Sequence, residues 1–370
     1  MKILFFFGTR PEAIKMAPLI KEFQKSSGGF DIKICVSAQH REMLDQVLHF
    51  FEIQPDFDLN IMQQDQDLFD ITTEALNGIK EVMSHHKPDW LIVQGDTTTT
   101  FVGALAAFYE KVKVAHIEAG LRSFNKQAPF PEEMNRVLTT HLSDIHFAPT
   151  IRAKENLLRE GVLEDKIFVV GNTSIDAVFL CLKKISEKRP DSFDSLNSVD
   201  FDKKIVLVTG HRRESFGEPF KNICLALKMI AENGDIEIVY PVHLNPNVRR
   251  PVLKILGNIP NIHLKEPLDY PSFVWLMNKS YIILTDSGGV QEEAPSLGRP
   301  VLVMRDITER TEGIDAGTAK IVGTDKDKII KEALNLLTDK TVYDKMAKAV
   351  NPYGDGNASK RIIDIISKVL

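Results

Sequence analysis

The sequence predicts an α/β protein made of two doubly wound parallel-sheet units that face a cleft. Three observations carry this. Residues 3–12 read ILFFFGTRPE and residues 205–214 read IVLVTGHRRE, so one pattern opens each half: an apolar run, then Gly-x-Arg-x-Glu, then an amphipathic helix. An apolar run of this length ending in glycine is the pattern of a parallel strand, buried on both faces, entering a βα loop. Strand and helix patterns then alternate through both halves, which is the signature of a parallel sheet with helices on both faces. Finally, 370 residues favour two domains over one and leave each half able to bury a core.

In the first half the strand patterns fall at 3–7, 32–37, 90–94, 112–117, 145–148 and 167–170. Helical patterns fill 12–25, 40–51, 68–85, 98–110, 132–143, 151–160 and 174–187. Thr9 and Glu12 have capping-box spacing, and Pro11 suits a first helical turn. Residues 188–203, KRPDSFDSLNSVDFDK, are polar and without period, the best linker in the chain. Strand patterns resume at 205–209, 236–241, 262–264, 281–285, 301–304 and 319–322, and helical ones at 218–232, 246–257, 271–279, 289–297, 326–338 and 341–349. NPYGDG at 351–356 is a turn, and an amphipathic helix fills 357–369.

Composition excludes several classes. Hydrophobic content of 43% and charged content of 26% are ordinary for a globular protein. A net charge of −5 weighs against a nucleic-acid binder. The chain opens on a strand-like run without the pattern of a cleavable leader, and no apolar run reaches the roughly 20 residues needed to span a bilayer. Cys35, Cys181 and Cys224 are widely spaced in apolar contexts, as reduced core residues are. The expectation is a cytoplasmic protein with no membrane partner.

The polar clusters sit where strands end. Arg10 lies in the first βα loop, with Lys15 after it on the first exposed turns of the helix, and two cations beside free helix N–H groups make an anion site. Gly95-Asp96 and the threonines after it follow LIVQ, placing Asp96 at the mouth of the sheet; capping explains one polar residue there, not the run. Glu118 ends the strand KVAHIE. Glu132, Glu133 and Arg136 lie one turn apart and are spaced to pair. Asp96, Glu118 and Glu132 converge by topology on one wall, and crowded like charges raise some of their pKa values, which suits acid/base work. Gly210-His211-Arg212-Arg213-Glu214 mirrors the first loop in the second half, with His211 between glycine and two arginines. Asp286-Ser287-Gly288-Gly289 opens a helix in which Gly288 and Gly289 let backbone N–H groups approach phosphate, and Glu293 is placed to accept ribose hydroxyls. There is no G-x-x-x-x-G-K-[ST] and no G-x-G-x-x-G, so neither a Walker loop nor a nicotinamide cofactor is expected, and no spacing calls for a metal.

FGTRPEAIKMAPL, AQHREMLDQVL, GDTTTT, HIEAGLRS, PEEMNR, TGHRRESFG, YPVHLNPNVR, TDSGGVQEEAPSLGRPVLVMRDITER and NPYGDG together resemble the bacterial non-hydrolysing UDP-N-acetylglucosamine 2-epimerases, and the likeness runs over nearly the whole chain. The resemblance implies the glycosyltransferase-B architecture: a Rossmann-like domain at 1–171 on which the C-terminal helix, 352–370, packs back, and a Rossmann-like UDP-binding domain at 172–351. It implies reversible interconversion of UDP-GlcNAc and UDP-ManNAc for surface polysaccharide, UDP as a further ligand, a cytosolic homodimer, and activation by a second UDP-GlcNAc. It carries catalytic roles to Asp96, Glu118, Glu132 and His211, and substrate contacts to Arg10, Lys15, Phe273, Ser287, Gly288, Gly289, Glu293 and Arg310, to which pairing spacing adds Arg136. Gln39, His40, Glu133, Arg212 and His243 are the activator-site candidates by position.

The chemistry implied is an elimination. The sugar C2–H has no carbonyl beside it and is not acidic. Once the C1–oxygen bond breaks, C1 becomes cation-like and the C2 proton acidic; loss of UDP and of that proton gives 2-acetamidoglucal. Re-addition of UDP, with a proton returned to the other face of C2, gives the epimer. This needs a base, an acid and a cationic clamp, but no redox cofactor. Three rivals stay open. A glycosyltransferase needs an acceptor, a hydrolysing epimerase releases free ManNAc and UDP, and a nucleotide-sugar sensor has no need of the three carboxylates.

Overall fold

The computed structural model describes residues 1–26, 29–39, 41–63, 65–233 and 235–369. The chain forms two compact units: Met1–Ala177 with the segment from Gly354 onward, and Val178–Tyr353. The chain passes from one to the other inside the helix Thr173–Glu187 and again at Tyr353–Gly354.

In the first unit the strands are β1 (Lys2–Phe7), β2 (Asp31–Val36), β3 (Phe57–Asp58), β4 (Trp90–Gln94), β5 (Lys113–Ile117), β6 (Ile145–Ala148) and β7 (Ile167–Val169). They form one sheet in the order β3-β2-β1-β4-β5-β6-β7, every pair parallel. The apolar runs explain the central strands: Ile3, Leu4, Phe5, Phe6 and Phe7 are all fully buried, as a strand covered on both faces requires. The helix Arg10–Lys25 starts where the capping pattern put it, with Glu12 Oε2 accepting the Thr9 N–H at 2.8 Å. The sequence reading has no counterpart to β3, a two-residue edge strand paired only through Phe57 and Asp58, too short to show a period.

In the second unit the strands are β8 (Lys204–Thr209), β9 (Ile236–Pro241), β10 (Ile262–Lys265), β11 (Ile282–Thr285), β12 (Val301–Val303) and β13 (Ala319–Ile321). Their order is β10-β9-β8-β11-β12-β13, again all parallel. Both units are thus Rossmann-like, as the sequence predicts. Three details differ. The helix expected at 289–297 is α-helical only over Gly288–Glu293 and tightens to a 3₁₀ turn over Ala294–Leu297, because Pro295 has no N–H to continue the ladder. A short helix, Thr311–Asp315, lies in a stretch with no helical pattern. The polar stretch 188–203 is no free linker: Phe193, Leu196 and Val199 are buried in the second unit, and Phe193 and Phe201 each pack on Trp275 at 4.9 Å between ring centroids. Three anchors three residues apart hold it down, a spacing that helix and strand patterns do not register.

The C-terminal helix, Ala358–Val369, packs on the helix Arg10–Lys25 of the first unit and buries Ile362 and Ile366. Its N-terminal donors are taken by Asp176, whose carboxylate accepts the Ala358 and Ser359 N–H groups at 3.2 and 2.8 Å. Among the described residues no helix is long and apolar enough to cross a membrane.

In each sheet the strand order reverses between two neighbours, β1 and β4 in the first unit, β8 and β11 in the second. Open parallel sheets bind ligands outside the carboxyl ends of such strands. The four loops that leave them start at Gly8, Gly95, Gly210 and Asp286, and they carry most of the polar clusters that the sequence singles out.

Candidate active site

In the first unit, Gly8 follows β1. A Cβ built there would lie 1.8 Å from Ser37 Oγ and 2.8 Å from Thr99 Oγ1, so only glycine fits between the neighbouring loops. Arg10 stands at the start of its helix, part-exposed, with no hydrogen-bond or ion-pair partner among the described residues. Lys15 is not the second half of a free anion site. One turn along, its ammonium pairs with Glu118.

Glu118 follows β5 with φ of +63°, a left-handed conformation that costs a non-glycine residue on the order of 1 kcal/mol and collects at functional sites. Its side chain is 6% exposed. Lys15 Nζ and, at 2.8 Å, Gln94 Nε2 both donate to the same oxygen, Oε2. Asp96 follows β4 and is gripped by Arg136, whose Nη2 and Nε lie 2.7 and 2.9 Å from Oδ2. Asn135 donates to the Asp96 carbonyl at 2.9 Å, so the helix Glu132–Leu142 fixes this loop twice. Glu132 opens that helix, and its Oε2 is buried without a hydrogen-bond partner among the described residues. Asp96 and Glu118 thus each pair with a cation of their own, Arg136 and Lys15.

Glu133 is 3% exposed and uses both oxygens on structure: it accepts the Ser123 and Phe124 N–H groups at 2.9 and 2.8 Å and Arg136 Nη1 at 3.1 Å. Burial alone pushes its carboxyl up; those donors more than reverse it and hold the group below its ordinary value. His116, fully buried in β5, donates Nε2–H to the Gly95 carbonyl at 2.8 Å, and burial lowers it to about 4, so it is a neutral strut under the Asp96 loop. Gln39 meets Thr99 Oγ1 at 3.4 Å in this unit, and His40 lies outside the described residues.

In the second unit, Asp286 organises the loop after β8. Its Oδ2 accepts the backbone N–H groups of His211 and Arg212 at 2.6 and 2.7 Å, and its Oδ1 faces His211 Nδ1 at 3.3 Å. Tyr240 Oη donates to the Gly210 carbonyl at 2.8 Å. His243 stacks on His211 with centroids 5.4 Å apart and planes 14° apart, and its Nδ1 accepts the Asn245 N–H. Burial holds the His211 imidazole below its ordinary value; Asp286 opposes this, and His243 and Arg212 reinforce it. Arg212 and His243 are thus brought together with His211.

Ser287 stands at the N-cap position of the helix that opens on Gly288 and Gly289, with no capping hydrogen bond from its side chain. A Cβ at Gly288 would lie 3.1 Å from the Arg310 guanidinium carbon, so that cation lies directly over the glycine. Arg310 is held there by Glu292, Nε to Oε1 2.8 Å. Glu293 Oε1 is the atom nearest a Cβ built on Gly289, at 3.8 Å. Phe273 is half-buried on the helix Tyr270–Lys279. The sequence does not single out Glu12, Gln94, His116 and Asp286 as the residues that hold the site loops in place. Glu12 read as a helix cap, Gln94 and His116 as strand residues, and Asp286 as part of a glycine turn. Their signal was position alone: each stands at or beside a strand's carboxyl end.

Comparison with known proteins is concordant. The family model described as UDP-N-acetylglucosamine 2-epimerase matches residues 21–367. The UDP-N-acetylglucosamine 2-epimerase of Campylobacter jejuni is 54% identical, with 99% of this chain and 97% of that one covered. That of Escherichia coli K12 is 55% identical over 99% of this chain and 98% of its own length. The crystal structure of UDP-GlcNAc 2-epimerase from Neisseria meningitidis bound to UDP-GlcNAc matches with a TM-score of 0.90 and 51% identity, covering 100% of both chains.

Proposed function

The chain belongs to the UDP-N-acetylglucosamine 2-epimerase family and is an enzyme of that specificity, and we propose that it inverts C2 of UDP-GlcNAc by eliminating and re-adding UDP. The observation that carries the reading is Glu118. A carboxylate at the mouth of a parallel sheet is held in a strained backbone conformation with two donors on one oxygen, a geometry that packing alone does not call for.

The steps follow from the groups. The C1–oxygen bond breaks and its electron pair leaves with UDP. A carboxylate of the first unit takes the C2 proton, and the C–H electron pair becomes the C1–C2 double bond of 2-acetamidoglucal. In the return, UDP oxygen adds to C1 and a protonated carboxyl delivers its proton to the opposite face of C2. Asp96, Glu118 and Glu132 are the proton-transfer set. Lys15 and Arg136 fix two of these carboxylates in place. Ser287, Gly288, Gly289 and Arg310 receive the diphosphate, His211 and Arg10 stabilise its departing charge, and Phe273 and Glu293 contact the uridine. Arg212 and His243, flanking His211, are our candidates for contact with an activating second UDP-GlcNAc.

The same reading makes the chain a homodimer of the cytosol that supplies surface polysaccharide synthesis. Phe69, Phe108 and Tyr109, 82%, 61% and 64% exposed on two helices packed together in the first unit, support a pairing surface. The three described cysteines are buried and free, which supports a reducing compartment.

The test is incubation with UDP-GlcNAc alone, followed by NMR. UDP-ManNAc must appear, and Glu118→Gln must keep UDP binding while turnover falls by about 10²–10⁴-fold. Free ManNAc as the only sugar product, or full activity in Glu118→Gln, contradicts the reading.

A further inference from the structure

Glu12 is 1% exposed and is not in the proton-transfer set, yet no other carboxylate described above gathers as many donors from different loops. Its Oε2 accepts the N–H groups of Gly8 and Thr9, at 3.0 and 2.8 Å, immediately before Arg10. Its Oε1 meets the hydroxyls of Thr97 and Thr100, at 2.7 and 3.0 Å, immediately after Asp96. Thr100 Oγ1 also lies 2.7 Å from the backbone carbonyl of Gln94, the residue whose side chain donates to Glu118. One buried carboxyl thus joins the loops after β1 and β4, where the strand order reverses; it touches the segments that bear Arg10 and Asp96, and is linked to Glu118 through Thr100 and Gln94.

The protons can be counted. Four close oxygen–oxygen contacts meet here: Thr97 to Glu12, Thr100 to the Gln94 carbonyl, Thr100 to Glu12 and, longest at 3.2 Å, Thr97 to Thr100. Two threonine hydroxyls supply two protons, and the Thr97 oxygen already accepts the Thr100 N–H at 3.1 Å. The carbonyl has no proton to give, and its contact with Thr100 is the shortest of that hydroxyl's three. With those two protons placed on the 2.7 Å contacts, Thr97 to Glu12 and Thr100 to the Gln94 carbonyl, the 3.0 Å contact of Thr100 with Glu12 is left for a proton on the carboxyl. Among the described residues no cation contacts the carboxyl: Lys15, one turn along the same helix, is paired with Glu118. Burial pushes the Glu12 carboxyl above its ordinary value despite the donors around it, in the same direction.

We propose that Glu12 is a positioning residue held as a neutral acid, whose proton ties the loop carrying Arg10 to the loop carrying Asp96. This rests on the assignment of Asp96 and Glu118 to proton transfer. Glu12 touches neither substrate nor the reacting atoms; it sets where those that do are held.

The pattern of substitutions tests it. Glutamine keeps the group neutral: its oxygen accepts Gly8 and Thr9, its two amide N–H groups donate to Thr97 and Thr100, and the Thr97 hydroxyl, which can no longer donate to this position, turns to Thr100 Oγ1, 3.2 Å away. Glu12→Gln is expected to fold and to keep kcat and KM for UDP-GlcNAc within about 3-fold of the parent, since both loops stay tied to the side chain. Aspartate is one methylene short and cannot reach both loops; Glu12→Asp is expected to lose about 10²-fold in kcat through misplacement, with KM and calorimetric UDP affinity little changed. The parent should show the infrared carbonyl band of a protonated carboxyl at neutral pH, absent from Glu12→Gln. A Glu12→Gln protein that is as slow as Glu12→Asp, fails to fold, or leaves the infrared band in place overturns the proposal, as does Glu12→Asp with parental kcat. A parent that converts no UDP-GlcNAc, or a Glu118→Gln as fast as the parent, instead overturns the underlying reading, and the same assay plate separates the two failures.

Discussion

Removing the Asp286 carboxylate tests how the second unit holds His211. In Asp286→Ala two part-buried donors, the N–H groups of His211 and Arg212, lose an acceptor that now lies 2.6 and 2.7 Å away. A hydrogen bond to a charged group contributes about 1.5–3 kcal/mol. The His211 side chain is 41% exposed, so water reaches part of this loop and the lower end applies. The expected loss is about 3 kcal/mol for the pair, out of the roughly 5–15 kcal/mol that stabilises a domain. Urea unfolding reads it as a fall in midpoint at unchanged slope. Asp286→Asn separates charge from shape. Its oxygen still accepts the two N–H groups, so most of the stability returns. Its amide, however, faces His211 Nδ1 with donors, which makes Nδ1 an acceptor and moves the proton to Nε2. The group opposing burial's effect on His211 is also gone, so the imidazole titrates at lower pH than in the parent. Nitrogen-15 NMR of the histidines shows both changes. Parental stability in Asp286→Ala, or an unaltered His211 tautomer and titration in Asp286→Asn, would refute this account of the loop.

Gly288→Val should fold but lose at least 10-fold in calorimetric UDP affinity, because its Cβ meets the Arg310 guanidinium at 3.1 Å and its methyl groups push the cation off the loop; parental affinity would remove the diphosphate from this site. Burial lowers His116 to about 4 and His146 to about 3, from 6.5 for an ordinary imidazole, so the unfolded chain binds more protons than the folded one between these values. Their contribution is full above pH 6.5 and is lost as pH falls toward 4, on the order of 3 kcal/mol for His116 alone; His146→Leu should flatten the acid side of the stability curve, and an unchanged slope would contradict this. Ile366→Ala empties a fully packed site beneath the C-terminal helix and should cost about 2–5 kcal/mol by urea unfolding, whereas a loss under 1 kcal/mol would mean that the helix is only loosely docked.

Much of this architecture was legible because parallel strands are buried on both faces and therefore read as unbroken apolar runs: ILFFF, LIVQ, IVLV and IILT fall on β1, β4, β8 and β11. The polar loops were legible for the same reason, since a strand's end fixes which residue stands at the mouth of the sheet. What the sequence hid were pairings across long separations. Nothing local indicates that Lys15 turns to Glu118, 103 positions away, and away from an anion beside Arg10. Nor does capping-box spacing at Thr9 and Glu12 reveal that the glutamate's second oxygen is taken by Thr97 and Thr100. The anchoring of 188–203 was hidden because its partner, Trp275, lies on a helix far along the chain.

The elimination itself is tested most directly by turnover in D₂O of UDP-GlcNAc labelled with ¹⁸O in the bridge between C1 and phosphorus. If a protein carboxylate removes the C2 proton and a solvent-exchanged carboxyl returns one, the UDP-ManNAc formed carries deuterium at C2. If UDP truly leaves, the label also scrambles into the non-bridging positions of the β-phosphate. UDP-ManNAc formed without deuterium at C2, or with the label still wholly in the bridge, would contradict the account.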